Sequence, residues 1–334
     1  MIPAKTKERI SSRQFHCLLF FVGFSIQLFA DDSDFPEAVK HLNQMSLAMS
    51  QMTYQGTFVY VQGSLVETMR ITHVVDENGI HERLVAQTGR QRELRRDAEG
   101  VRWIARDQQA VVSDPSVNRG FFPVVTSDAI ENAADFYTIS LGGLEPLAGR
   151  LGRKLSIIPL DKYRYGYSLW LEEPSGFLLK WELFQDSARP LARLMFTDIR
   201  IGNEVDRSEL LSNDSMDGFQ TQASDLPQKP TITQSKPRWI PEKPPPGFRL
   251  TSHRREDSQS AVMFQHLVYS DGIATVSVYV EPFSETDGSG TGASSLGTTN
   301  AHSRLLDDYL ITVMGDVPAA TVREMAMSVT KQSP

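Results

Sequence analysis

Between Asp161 and Phe184 the chain reads DKYRYGYSLWLEEPSGFLLKWELF, and no other run limits its fold as strongly. With a period of two, Tyr163, Tyr165, Tyr167, Leu169 and Leu171 share one face, while Arg164, Gly166, Ser168, Trp170 and Glu172 share the other, as in a strand. Glu172-Glu173-Pro174-Ser175-Gly176 supplies turn chemistry. A second alternating run then follows, with Phe177, Leu179, Trp181 and Leu183 on one side. The expectation is a long β-hairpin with an aromatic-rich face. Two strands cannot bury such a face alone, so they belong to a wider sheet that is either covered by something or holds something.

The surrounding chain supplies that sheet. Strand-like runs recur at Tyr54–Val61, Glu67–Val75, Ile80–Ala86, Gln91–Arg95, Val101–Ala105, Ala110–Ser113, Phe136–Leu141, Leu151–Pro159 and Arg193–Ile201. No helical crossovers separate them, and parallel neighbours would need one at each step, so the rhythm predicts a large antiparallel sheet. Ahead of the strands, Phe35, Val39, Leu42, Met45 and Met49 recur at spacings of three and four, which predicts an amphipathic helix over Phe35–Met52. The short polar segment ending at Ala134 reads as a further helical piece.

The N-terminus follows a different rule. Lys5, Lys7, Arg9 and Arg13 precede an apolar run from Cys17 to Ala30, and Asp31-Asp32-Ser33-Asp34 is abruptly acidic, the layout of a secretory signal with cleavage after Ala30. That run is shorter than the roughly 20 residues a membrane-crossing helix requires. Removing residues 1–30 takes the formal charge from −7 to about −10, so the mature chain lacks the basic footprint that nucleic-acid binding requires. It also removes the single cysteine, leaving no disulfide to support the fold.

Residues 31–211 are therefore one domain. Residues 212–236, polar with two prolines and no apolar period, read as a linker, and residues 237–331 read as a smaller α+β domain. In that second domain, strands are expected at Phe248–His253, Val262–Tyr269, Thr275–Val280, His302–Leu306 and Tyr309–Met314, with a helix at Pro318–Val329. Ser270-Asp271-Gly272 forms a hairpin turn, and the Gly/Ser/Thr-rich stretch Glu285–Thr299 forms a loop.

No catalytic set is legible. The seven histidines show no ligand spacing, so no metal site is expected. There is no G-x-S-x-G elbow and no phosphate- or dinucleotide-binding glycine pattern, and no cofactor is expected. Two features remain. One is the aromatic face, where Tyr163, Tyr165, Tyr167, Leu169, Phe177, Leu179 and Trp181 are candidates for lining a lipid cavity, beside the plainer reading of ordinary core. The other is a run of arginines, Arg83, Arg90, Arg92, Arg95 and Arg96, diluted by Glu93, Asp97 and Glu99. Arginine captures carboxylates and phosphates with two parallel hydrogen bonds, which makes these residues candidates for meeting an anionic partner or lipid headgroup.

Several segments carry a resemblance to one family. Tyr54-Gln55-Gly56-Thr57-Phe58-Val59-Tyr60, Met69-Arg70-Ile71-Thr72-His73, His81-Glu82-Arg83-Leu84, Ala148-Gly149-Arg150, the run Pro159–Tyr167 and Gly176-Phe177-Leu178-Leu179-Lys180 resemble the MucB/RseB family of periplasmic sigma-E regulators. Pro246-Gly247-Phe248, Tyr269-Ser270-Asp271-Gly272 and the run Gly315–Val322 resemble that family's C-terminal domain. The resemblance implies an α+β protein with a LolA/LppX-like antiparallel half-barrel wrapped over helices, followed by the smaller C-terminal domain. It implies a periplasmic negative regulator of the envelope stress response that binds the periplasmic segment of a transmembrane anti-sigma factor and shields it from proteolysis. Lipid or lipopolysaccharide acyl chains would trigger release. The alternative is a periplasmic lipid or lipoprotein carrier; homo-oligomerisation is left open.

Overall fold

The computed structural model describes residues 34–108, 110–114, 133–173, 175–186, 189–202, 204–210, 220–223, 236–257, 262–283 and 290–332. The secretory segment expected at residues 1–30 and the helical piece expected ahead of Ala134 lie outside them, apart from the last residues of the latter. Among the described residues, no helix is long and apolar enough to cross a membrane.

The helix expected from the Met stripe is α1, Asp34–Gln51. Its residues Ala38, Leu42, Met45 and Met49, spaced three or four apart, all point into the same core, as that periodicity requires. The strands that follow form two meanders. The first contains β1 (Tyr54–Gln62), β2 (Leu65–Asp76), β3 (Gly79–Ala86), β4 (Arg92–Asp97), β5 (Gly100–Ala105) and β6 (Ala110–Asp114). The second contains β7 (Tyr137–Leu147), β8 (Arg150–Pro159), β9 (Gly166–Glu172), β10 (Leu178–Phe184) and β11 (Ala192–Ile201).

The two meanders become one sheet because β1 pairs antiparallel with β11, Tyr54 opposite Ile201 and Gln62 opposite Ala192. With Gln220–Ala223 as β12, the resulting twelve-stranded order is β12-β6-β5-β4-β3-β2-β1-β11-β10-β9-β8-β7. Its core gathers the α1 face with residues of both meanders, centred on edge-to-face aromatic pairs: Tyr54 with Phe177, Phe58 with Phe196, and Phe177 with Phe196. Rings in this geometry place positive edges against negative faces and add to the gain from burial.

Three expectations about these elements change. The first hairpin strand begins at Gly166, not at Tyr163 where the alternation starts; residues 161–165 form an irregular segment outside the sheet. Within the stretch read as a linker, Gln220–Ala223 forms β12 and pairs in parallel with β6. Backbone pairing of this kind is blind to side chains, so a largely polar strand, Gln-Thr-Gln-Ala, completes an edge without any apolar period. Most of the remaining linker lies outside the described residues. Gly292–Leu296, part of the Gly/Ser/Thr-rich loop, forms the edge strand β17.

The second sheet has the order β14-β15-β16-β19-β18-β17. It contains β14 (Arg249–Asp257), β15 (Val262–Ser270), β16 (Thr275–Pro282), β17, β18 (Thr299–Leu306) and β19 (Tyr309–Gly315). One face is covered by α2 (Ala319–Ser328) and by the small pair β13 (Trp239–Pro241) and β20 (Val329–Lys331). Trp239, Val276, Val278, Ile311, Val313, Val322 and Met325 fill this second core.

Candidate functional site

The irregular segment that replaces the start of β9 reaches the second sheet. Asp161 caps it, its Oδ1 accepting from the Tyr163 backbone N–H at 2.8 Å. The next residue, Arg164, has a completely buried side chain whose Nε donates to Asp271 Oδ2 at 2.5 Å, and the Asp271 side chain is completely buried as well. Tyr137 OH donates to the same oxygen at 3.1 Å. The other carboxylate oxygen accepts from the backbone N–H groups of Ile273 and Ala274 at 2.9 and 2.7 Å. Arg164 also donates to Asp161 and to the Pro246 carbonyl, and its guanidinium lies over Phe136 and Phe248, 4.5 and 4.9 Å from the ring centroids.

This arrangement offsets the cost of burying charge: both ions are paired, each guanidinium nitrogen donates a hydrogen bond, both carboxylate oxygens accept, and aromatic faces hold the cation. Burial and the adjacent Asp271 push the Tyr137 phenol far above its usual range, so it stays a donor at any ordinary pH. Gly247, with φ of +86°, completes the enclosure. A Cβ there would overlap the Phe136 ring and the Arg164 guanidinium.

Further contacts extend along the same seam. Tyr163 OH donates to Glu324 Oε2 at 2.7 Å, and Thr321 Oγ1 donates to the Tyr163 carbonyl at 2.7 Å. Asn300 Nδ2 donates to Tyr165 OH at 2.9 Å and to the Val317 carbonyl at 2.8 Å, while Gln62 Nε2 donates to Thr298 Oγ1 at 3.3 Å. The seam therefore runs from α2 through the Asp271 turn to the β17–β18 turn.

The seven aromatic-face residues divide. Tyr163 and Tyr165 face the second sheet. Leu169, Phe177 and Leu179 lie in the first core with the α1 side chains. Tyr167 and Trp181 are half-buried, between that core and a small cluster of Tyr165, Leu183 and Ala192. Burial raises the phenols of both Tyr165 and Tyr167.

The arginine run is organised by carboxylates of this same chain. Glu93, 1% exposed, accepts from Arg83 at 2.7 Å, Arg95 at 2.5 Å and Arg106 at 2.7 Å. Burial by itself would raise its carboxyl; the three guanidinium hydrogen bonds outweigh that and hold its pKa at about 2. Arg92 pairs with the buried Glu67, and Arg83 additionally donates to the Glu209 carbonyl at 2.8 Å. Arg96 is buried, and Arg90 is exposed between β3 and β4. Close by, His73 stacks on Tyr54 at 4.6 Å and shares a hydrogen bond with the Met52 carbonyl at 3.0 Å. Burial lowers its imidazole to about 4. Among the described residues, no group of three or more His, Cys, Asp or Glu could hold a metal ion.

Sequence reasoning missed Asp271, Pro246, Gly247, Asn300 and Glu324 as partners of the aromatic stretch. Asp271 was visible as a turn residue, and Pro246, Gly247 and Asp271 as part of the family resemblance, but no spacing connects position 164 to position 271. The second sheet itself, however, was legible, and so was the kinship of both parts of the chain. A family model described as the MucB/RseB N-terminal domain matches residues 37–213, and one described as the MucB/RseB C-terminal domain matches residues 233–330.

The chain belongs to the MucB/RseB family.

Among its relatives, the sigma factor AlgU regulatory protein MucB of Pseudomonas aeruginosa is 30% identical over 312 residues, covering 91% of this chain and 92% of that protein. The sigma-E factor regulatory protein RseB of Haemophilus influenzae is 23% identical over 296 residues, covering 87% of this chain and 90% of the relative. RseB of Escherichia coli is 22% identical over 326 residues, covering 95% and 98%. The Pseudomonas aeruginosa MucA/MucB complex contains a chain with the same fold, at TM-score 0.67 and 28% identity, covering 89% of this chain and all of that one. A crystal structure of MucB alone matches at TM-score 0.61 and 26% identity, covering 89% and 98%. The α+β architecture that the resemblance implied, a large antiparallel sheet with a smaller α+β unit after it, is the architecture of this family.

Proposed function

We propose that this protein is a periplasmic negative regulator of a sigma-E-type envelope stress response. It binds the periplasmic segment of a transmembrane anti-sigma factor and shields that segment from regulated proteolysis. Residues 31–211 and 237–331 act as its two domains. The observation that carries this reading is that the similarity to proteins named as sigma-factor regulators runs the length of the chain, through both sheets. A carrier of lipids would need only the first. The solved relative in complex with MucA(peri) supports a polypeptide partner. The described residues present a binding scaffold, with buried charges engaged in structure, and the function is one of binding rather than catalysis.

Release by a lipid or lipopolysaccharide acyl chain is the finer part of the proposal. Tyr167 and Trp181, half-buried at the margin of the first core, are the members of the aromatic set that this reading assigns to such a chain. Because the seam joins that margin to the second sheet through Tyr165, a ligand that favours one arrangement of the seam shifts affinity for the partner by its differential binding free energy. Arg90, exposed beside the Glu93 network, is the arginine proposed for anionic contact.

Immobilised MucA(peri) tests the regulatory reading. Retention of the mature chain, protection of MucA(peri) from a soluble protease and loss of both on adding lipopolysaccharide are the expected results. No retention, together with an acyl ligand extracted from the purified protein, would favour the alternative of a periplasmic lipid or lipoprotein carrier.

A further inference from the structure

Gln62 sits where three turns meet. It ends β1 and pairs with Leu65 across the β1–β2 turn and with Ala192 at the start of β11. Its side chain also packs against Gly297 and donates to Thr298 in the β17–β18 turn of the second sheet. Around it, each turn presents aliphatic side chains to solvent. Leu65 and Val66 are 43% and 61% exposed, Leu191 is 36% exposed beside the exposed Pro190, and Leu296 is 86% exposed. No other large apolar side chain among the described residues is as exposed as Leu296. Between the turns, Val61, Gly63 and residues 189–193 line an open notch of about 360 Å3.

The charges at this corner are sparse, and most are engaged within the chain. Gln62-Gly63-Ser64-Leu65-Val66 and Ser294-Ser295-Leu296-Gly297-Thr298-Thr299 contain no ionisable side chain. Glu67 is turned into an ion pair with Arg92, and Asp316 accepts from the Thr298 and Thr299 hydroxyls at 3.0 and 2.6 Å. On the third turn, Asp186 is already engaged in an interaction of its own. Arg193 is engaged by Glu182 at 2.7 Å, and Arg189 is an exposed cation with no carboxylate partner among the described residues.

We propose that this corner docks onto the surface of a phospholipid bilayer, with Leu65, Val66 and Leu296 entering the acyl boundary and Arg189 meeting headgroup phosphates. A folded partner protein would call for a broad face into which its own side chains interdigitate, whereas here the aliphatics stand on the ends of separate hairpins. That shape fits a soft apolar phase. The exposed Arg189 guanidinium beside the aliphatic tips matches the phosphate layer above the acyl chains, in a protein whose overall charge is negative. The surface is separate from the first core, none of whose residues it uses. It would hold the whole chain against an intact membrane, whether or not a single lipid enters the sheet.

Flotation of the mature chain with vesicles of phosphatidylethanolamine and phosphatidylglycerol tests the proposal. The intact protein is expected to float, and the combined variant Leu65→Ser, Val66→Ser and Leu296→Ser to lose about tenfold in vesicle affinity with its thermal midpoint unchanged, since all three side chains are exposed. Arg189→Glu is expected to weaken binding to these vesicles but not to vesicles of phosphatidylcholine. A tryptophan at the outermost tip, Leu296→Trp, gives an independent signal: a blue shift and quenching by brominated phospholipid. The proposal is overturned if the intact protein stays in the soluble fraction, if the triple variant floats equally well, or if the new tryptophan keeps a water-exposed spectrum. Crosslinking from position 296 to a polypeptide in the absence of vesicle binding would also overturn it.

Discussion

The Glu93 cluster and the Arg164–Asp271 cluster use the same chemistry, guanidinium hydrogen bonds to a buried carboxylate, for different ends. At Glu93, three arginines from neighbouring strands and the turn after β5 converge on one carboxylate, and each remains about one-fifth exposed. Water still reaches part of each cation, although Arg95 Nη2 is buried without a hydrogen-bond partner. At Arg164 and Asp271, both side chains are sealed, the partners lie 107 residues apart, and the cation is held between rings from both parts of the chain. A half-solvated ion cluster strengthens the sheet it sits on. A sealed one pins together parts distant in sequence, because opening it would strand a bare charge.

The sharpest way to break this contrast is Arg164→Ala. It leaves the Asp271 carboxylate buried without its counter-ion and is expected to cost about 3–5 kcal/mol in chemical denaturation. The paired change Arg164→Met with Asp271→Asn keeps acceptors for the Ile273 and Ala274 N–H groups and is expected to cost less than the single change. A loss below about 1 kcal/mol for Arg164→Ala would show that the hub is solvated and the contrast mistaken.

Glu93→Gln is expected to follow, at about 2–4 kcal/mol, because three guanidinium groups lose their shared anion while keeping partial access to water. Its unfolding midpoint should respond to salt more than that of Arg164→Ala, since exposed cations are screened and sealed ones are not.

The next effect is in pH. The folded pKa of Glu93, at about 2, lies below its unfolded value of about 4.5. Its stabilisation is therefore complete above pH 4.5 and is lost as pH falls towards 2, at roughly 2–3 kcal/mol over the window. The folded pKa of His73, at about 4, is also depressed, from 6.5. Below 6.5 the unfolded chain takes up a proton that the folded chain refuses, so stability falls between pH 6.5 and 4 by a similar roughly 2–3 kcal/mol. Denaturation of Glu93→Gln across pH is expected to lose the lower window and keep the upper one.

The smallest expected effect is Tyr163→Phe. The Tyr163 bond to Glu324 crosses the same seam as the Arg164 hub but at its solvent margin, where water replaces the lost partner. No resolvable change in Tm is expected. A large one would place the strength of the seam at its rim and not at its buried centre.

Legibility followed the range of each interaction. The α1 stripe, the strands of both sheets and the presence of a second unit could be read because three-four and two-residue periods report which side of an element is buried. Phe177, Leu169 and Leu179 were correctly placed on an apolar face. That Tyr163 and Tyr165 leave this face was not readable, since Tyr-Arg-Tyr-Gly-Tyr alternates as well in an irregular segment as in a strand. β12 and β17 escaped for the opposite reason: their pairing lies in backbone groups that every residue carries.

What the sequence determined by itself was the material of the fold: one amphipathic helix, antiparallel strands in quantity, a second small unit and the kinship of both. Only the tertiary structure decided which carboxylate each arginine meets. Charges act through space, and the chain alone does not say that residue 271 will return to residue 164 behind two aromatic rings. Three hairpin ends with unremarkable sequences became one apolar corner by the same route, through the pairing of β1 with β11 and the contact of Gln62 with a turn more than two hundred residues away.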